Sequence, residues 1–167
     1  MTRLSSRPMT PPPAFVVRPA TARDAPALAA LRGALFWELG QHSLPQQQAA
    51  FETRAAESFA AGLERAFCHA WLAVADTQQS IGSVALLVFP RLPTPDLPGQ
   101  QEGYLLSVYT VPAWRHRGVA STLVAAAVAT ARELGLARIR LHATPEGQTV
   151  YTGVGFHLRD NEMELRL

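Results

Sequence analysis

"YTVPAWRHRGVAST", residues 109–122, decides how this chain is read. A β-branched and aromatic run stops at Pro112. Two arginines and a histidine then crowd Gly118, and small residues lead into an alanine-rich stretch. That is a strand-to-helix turn. A helix N-terminus leaves backbone N–H groups unpaired and carries about half a positive charge. Phosphate binds such ends without special side chains. Gly118 has no Cβ to hold an oxygen away, and Ala120 is nearly as small. Ser121 and Thr122 offer hydroxyl donors, while Arg115 and Arg117 add charge that does not titrate. The stretch therefore reads as an anion seat. By itself it reads equally as a solvated basic turn before a helix.

Working outward, "YLLSVYTV" (104–111) predicts a strand, and Val119, Leu123, Ala127, Thr130 and Leu134 predict the buried stripe of a helix closed by Gly135. "ARIRLHA" (137–143) predicts a fifth strand with Ile139 and Leu141 facing inward. A strand–helix–strand unit of this length implies a right-handed parallel pair. Upstream, "FVVRPA" (15–20) reads as a first strand. Thr21 and Asp24 resemble a capping box, Pro26 falls in the first turn of the helix, and Leu28, Leu31 and Leu35 keep its spacing up to Gly40. A second helix is predicted from Pro45 to Arg65, with Phe51, Ala55, Phe59 and Leu63 recurring every fourth residue. "AFCHAWLAVAD" (66–76) and "SIGSVALLVFP" (80–90) form a hairpin. "PRLPTPDLPGQQEG" (90–103) is a surface loop open to ordering by a ligand. "PEGQTVYTGVG" (145–155) gives a short helix, and "FHLRDNEMELRL" (156–167) a last strand or hairpin. The order is β-α-α-β-β-β-α-β-α-β: an α/β (α+β) fold with a mixed sheet and helices on its faces.

Composition narrows the function. The chain has 167 residues, 48% apolar and 17% charged, which suits one domain with an ample core. We expect residues 1–13 to be a flexible proline-rich tail and 14–167 a single domain. A net charge of +2 argues against a general nucleic-acid coat. There is no lysine, which excludes a phosphate loop of the G-K-S/T type and Schiff-base chemistry. Cys68 is the lone cysteine and the five histidines lack H-x-x-x-H spacing, so no metal site is expected. No apolar run is long enough to span a bilayer and the N-terminus has no apolar signal core, so we expect no membrane association and a cytoplasmic location.

Four motifs in one order carry a resemblance. Arg115-His116-Arg117-Gly118-Val119-Ala120 resembles the R/Q-x-x-G-x-G/A signature of the GNAT family of acyl-CoA-dependent N-acetyltransferases. "YTVPAW" resembles the strand end that precedes it, Tyr151 to Phe156 the Y-x-x-x-G-F that follows, and "VVRPATARDAPALAAL" the opening strand and helix. The likeness covers roughly residues 15–167. It implies a mostly antiparallel sheet whose parallel strands four and five splay apart around acetyl-CoA as cosubstrate.

The resemblance also assigns roles. The pyrophosphate would rest on His116, Arg117, Gly118, Val119, Ala120 and Ser121, with Arg115 and Arg117 adding charge. The pantetheine arm would lie along Val108, Tyr109 and Thr110, where an N–H near Thr110 polarises the thioester carbonyl. Tyr151 would be the general acid at the leaving thiolate. Thr144 and Gly147 stand where the family often carries asparagine and alanine, so Thr144 would bond the pantetheine amide or cap the helix. The base is open among Glu102 before strand four, His142 on strand five, and a water held by Ser107. Cys68 has no visible activating partner, which favours direct transfer to a primary amine in a ternary complex. A catalytically silent CoA-binding sensor or interaction module is the alternative. Trp37, His42 and Phe51 are candidates to line the acceptor pocket, whose amine is not specified. Dimerisation is common in such enzymes, so a homodimer is one assembly the resemblance allows.

Overall fold

A computed structural model of the chain describes residues 14–41, 44–159 and 163–166. Five strands form one sheet in the order β1 (Phe15–Pro19), β2 (Cys68–Ala75), β3 (Ser80–Pro90), β4 (Gln101–Thr110) and β5 (Ile139–Arg140). All neighbours are antiparallel except β4 and β5, which run parallel. Helices α1 (Ala25–Glu38) and α2 (Pro45–Glu64) cover one face, and α3 (Val119–Glu133) covers the other. The short α4 (Gln148–Val154) follows β5. The proline-rich tail and His42 lie outside the described residues.

The central strands read as continuous apolar runs because both of their faces are buried. Along β2, Ala70, Leu72 and Val74 join the core under α1 and α2, while Trp71, Ala73 and Ala75 join the core under α3. Fully buried leucines such as Leu28, Leu72, Leu86 and Leu123 each stabilise the fold by about 2 kcal/mol. On β4 this alternation slips. Leu105 and Val108 face α3, whereas Leu106 and Tyr109 face α1. The extra residue is Ser107, whose φ of 54° and the register shift opposite Ser83 and Ala85 mark a β-bulge.

Gly82 seats the start of α3. A Cβ there would stand 2.9 Å from the Tyr109 carbonyl oxygen and 3.0 Å from Val119 Cγ1, so the helix end approaches the sheet only because the residue is glycine. Helix α3 buries Val119, Leu123 and Ala127 as the spacing predicts, but the stripe continues through Val124, Val128 and Ala131. Thr130 is half-buried and Leu134 is exposed. Leu134 is the C-cap, one residue past the end of α3 at Glu133, where the chain leaves the helix.

Three further expectations are corrected. Strand five is two residues long rather than seven: only Gly103 pairs with Ile139 and Tyr104 with Arg140. Ile139 and Leu141 are half-buried. Residues 156–159 and 163–166 form neither strand nor helix, so among the described residues there is no final strand. The proline-rich loop is ordered by the protein itself. Arg91 Nη1 donates to the carbonyls of Leu97 and Gly99, both at 2.7 Å, and β4 begins as early as Gln101. Glu102 therefore lies on β4 and not before it.

Candidate functional site

Two features of the backbone meet beside α3. The first is the turn itself. After a 3-10 turn at Pro112–Trp114, His116 and Gly118 both adopt left-handed φ, 61° and 79°. Turns of this kind aim successive N–H groups into one concavity, which attracts anions. The first backbone bond inside α3 is donated by the Thr122 N–H to the Gly118 carbonyl at 3.0 Å. The N–H groups of Val119, Ala120 and Ser121 precede it and have no intrahelical acceptor. Gly118 has no atom within 4 Å of where a Cβ would stand, so the concavity is open.

The second feature is the edge of β4 facing β5. Pairing between the two strands ends at Tyr104 and Arg140. The Val111 N–H points the other way, donating to Ile81 on β3 at 2.9 Å. Strand alternation then aims the N–H groups of Val108 and Thr110 toward the gap. The gap thus offers unpaired strand backbone at one end and an anion seat at the other. Thr110 Oγ1 is buried with no partner among the described residues.

The arginines divide their work differently from the sequence expectation. Arg115 does not face the seat alone. Its Nη2 donates to Glu38 Oε2 at 2.6 Å and its Nε to the Thr110 carbonyl at 3.0 Å. Glu38 Oε1 also accepts from the Tyr109 hydroxyl at 2.6 Å. Burial opposes charge on Glu38, but the Tyr109 and Arg115 hydrogen bonds outweigh it and hold the carboxyl below its usual range. Burial and the Glu38 carboxylate push the Tyr109 hydroxyl up to about 12. This trio ties the end of α1 to the end of β4, and makes Tyr109 a bracing side chain. Arg117 lies over the Trp114 ring at 5.2 Å. The Thr122 hydroxyl donates back to the Gly118 carbonyl at 2.8 Å, so that donor is spent within the helix.

Tyr151 sits on α4 and packs against the core that Val108 and Leu141 also join. Its ring meets Phe156 edge-on at 6.0 Å. Gly147 makes room for it: a Cβ there would stand 3.2 Å from the Tyr151 ring. Burial pushes the Tyr151 phenol up, so it stays protonated and able to donate. Thr144 caps the turn before α4, its Oγ1 accepting from the Gly147 N–H at 3.3 Å. Tyr151 lines a cavity of about 910 Å³ together with Arg140, Leu141, His142 and Val154. His142 is exposed, and its Nδ1 is hydrogen-bonded to the Tyr104 hydroxyl.

Glu102 is occupied. It is 3% exposed; its Oε2 accepts from Arg138 Nε at 2.5 Å and its Oε1 from Arg140 Nη2 at 2.7 Å, with Arg91 Nε at 3.5 Å. Burial opposes its charge, but the two near guanidinia outweigh burial and hold the carboxyl below its usual range. A carboxylate so placed clamps the start of β5 and is a poor proton acceptor. This weighs against the base role expected of it. Ser107 holds a side chain in place of the expected water: Arg32 Nη1 donates to its Oγ at 2.6 Å. Trp37 is exposed on α1, and Phe51 meets Phe36 edge-on at 5.4 Å. Among the described residues no three metal-ligating side chains cluster.

Arg32 and Glu38 were missed from the sequence. Arg32 carried a signal, since it stands four residues after Leu28 on the apolar stripe of α1. Glu38 carried none, because its partner Arg115 is 77 residues away.

Comparisons with known proteins bear on the family and the fold. The model of the acetyltransferase (GNAT) family matches residues 36–156. A GCN5-related N-acetyltransferase from Ralstonia eutropha JMP134 is 26% identical, with a TM-score of 0.79 over 92% of this chain and 99% of that one. A predicted acetyltransferase from Clostridium acetobutylicum, crystallised with acetyl-CoA, is 24% identical, with a TM-score of 0.81 over 92% and 96%. An aminoglycoside N-acetyltransferase in complex with CoA is 20% identical, with a TM-score of 0.68 over 98% and 99%. No curated protein sequence matches the chain.

Proposed function

The chain belongs to the GNAT acetyltransferase family, and on that premise we propose that it moves an acetyl group from acetyl-CoA to a primary amine by direct attack in a ternary complex. The observation that carries the reading is the pairing of two unpaired backbone surfaces. The left-handed turn at His116 and Gly118 presents free N–H groups for the pyrophosphate, and the open edge of β4 presents Val108 and Thr110 to the pantetheine arm. The acetyl-CoA bound in the Clostridium acetobutylicum protein supports the same ligand here.

The neutral amine nitrogen attacks the thioester carbonyl carbon. A C–N bond forms as the C–S bond breaks, and charge on the carbonyl oxygen is met by strand N–H groups near Thr110. The leaving thiolate takes the proton of Tyr151, whose burial keeps it protonated until then. The surplus proton on nitrogen passes to His142, which shares the cavity with Tyr151, whereas Glu102 is held by Arg138 and Arg140. Cys68 takes no part, since burial pushes its thiol up to about 11.

Release of free thiol from acetyl-CoA with a panel of amines tests this. Tyr151→Phe should lower turnover by about a hundredfold while leaving acetyl-CoA affinity nearly unchanged. Equal turnover would remove Tyr151 from the acid role. A silent CoA-binding module predicts binding with no thiol release for any amine.

A further inference from the structure

We propose that Arg32 is the carboxylate clamp of the acceptor site, so that the amine acetylated here carries a carboxylate. The inference rests on the acetyl-transfer reading above and deepens it. Arg32 projects from α1 onto the bulge of β4. Its Nη1 donates to Ser107 Oγ at 2.6 Å, and its guanidinium carbon lies 4.7 Å from the centre of the Phe36 ring. Phe51 of α2 meets that ring edge-on, so an apolar wall backs the cation.

Every other arginine drawn into the packed part of this site has an anion. Arg115 has Glu38, and Arg138 and Arg140 have Glu102. Arg32 has none among the described residues. Burial alone perturbs it, and it perturbs it downward, the direction of an uncompensated cation. Glu52 lies across α2 against Gly33, but it accepts from Gln48 Nε2 at 2.7 Å and makes no ion pair with Arg32. Ser107 takes one N–H of the fork. The Nε and Nη2 edge has no hydrogen bond among the described residues, and neither atom is sealed away as a buried orphan. Two parallel N–H groups on one guanidinium edge match the two oxygens of a carboxylate.

Position gives the clamp its use. Ser107 adjoins Val108, whose N–H faces the gap where the pantetheine arm is placed. The bulge at Ser107 turns that side chain toward α1, where Arg32 meets it, three residues beyond the last β4–β5 pair. An acceptor entering between α1 and α2 would meet Arg32 at Ser107, three residues along β4 from Thr110, where the thioester carbonyl is proposed to lie.

The test uses the full chain with saturating acetyl-CoA and three sets of acceptors: L-amino acids and ω-amino acids, their amides, and the matching amines without the carboxyl group. The variants are Arg32→Gln, which keeps a donor for Ser107, and Arg32→Lys, which keeps the charge and loses the fork. For the wild type, kcat/KM should favour the carboxylate over its amide on the order of 10- to 100-fold, the range for a hydrogen-bonded charge. In Arg32→Gln the preference should collapse toward parity, mainly through KM, with acetyl-CoA affinity unchanged. Arg32→Lys should recover part of it. Equal use of acid and amide by the wild type, or a preference that survives Arg32→Gln, overturns the clamp. A calorimetric arm needs no turnover: carboxylate-bearing amines titrated into the CoA complex should bind the wild type and not Arg32→Gln. Should no amine release thiol, the acetyl-transfer reading fails, while this arm still decides the clamp. Absence of binding there overturns it.

Discussion

Replacing Glu102 by glutamine should unfold the protein at a markedly lower temperature and leave its chemistry largely intact. One carboxylate, 3% exposed, faces Arg138, Arg140 and Arg91 at 2.5, 2.7 and 3.5 Å. The amide removes the charge and puts an NH2 donor where a carboxylate oxygen accepted, facing guanidinium donors. Breaking a buried pair from one side costs about 3–5 kcal/mol. Arg138 and Arg140 keep side-chain exposures of 34% and 41% and rehydrate in part, which moves the cost to about 3 kcal/mol. For a chain of this size each kcal/mol shifts Tm by roughly 2–4 °C, so the variant should melt about 6–12 °C lower at neutral pH. The pH dependence has a definite sign. The folded carboxyl is held below its usual range, so its stabilisation is complete above the ordinary glutamate pKa of about 4.3 and is lost as pH falls through the lower folded value. Wild type and variant should therefore converge in acid. Scanning calorimetry across pH, with thiol release measured well below both melting points, reads all of this. A Tm within about 2 °C of wild type refutes the structural role. Turnover lower by about a hundredfold with Tm unchanged would return Glu102 to the role of base.

Gly118→Glu should lose the stabilisation that acetyl-CoA gives in a melting assay, because a carboxylate would stand in the open mouth of the seat. Its folding cost is limited to the backbone at φ 79°, about 1–2 kcal/mol, since a Cβ there meets nothing within 4 Å; retained acetyl-CoA stabilisation would refute the seat. Cys68 is 4% exposed with its thiol pushed up to about 11, so the native chain should resist alkylation at neutral pH and react on unfolding. Rapid native labelling, or an acetylated Cys68 by mass spectrometry, would contradict direct transfer.

Local patterns carried the elements well where one stretch of chain decides the outcome. Helix α2 runs from Pro45 to Glu64, against a predicted end at Arg65, because proline fits the first turn and the four-residue spacing is uninterrupted. The Arg115–Ala120 motif located the turn that holds both left-handed residues. What failed depends on partners distant in sequence. "ARIRLHA" has the alternation of a strand, but a strand needs a neighbour, and β4 diverges after Tyr104. Arg115 looked committed to an anion in solution, yet Glu38 claims it. The charge of Glu102 made it a candidate base until the guanidinia of Arg138 and Arg140 were placed on it. Arg32 was legible in part, as a charge on an apolar stripe; the Ser107 bulge it reaches, 75 residues on, was not.

Amide hydrogen exchange with and without acetyl-CoA tests the central claim most directly. The backbone N–H groups of His116 to Ser121, and those of Val108 and Thr110 on the open edge of β4, should become protected when acetyl-CoA is added, with little change along β2. Failure to bind acetyl-CoA, or binding that leaves both segments exchanging as before, would contradict the account.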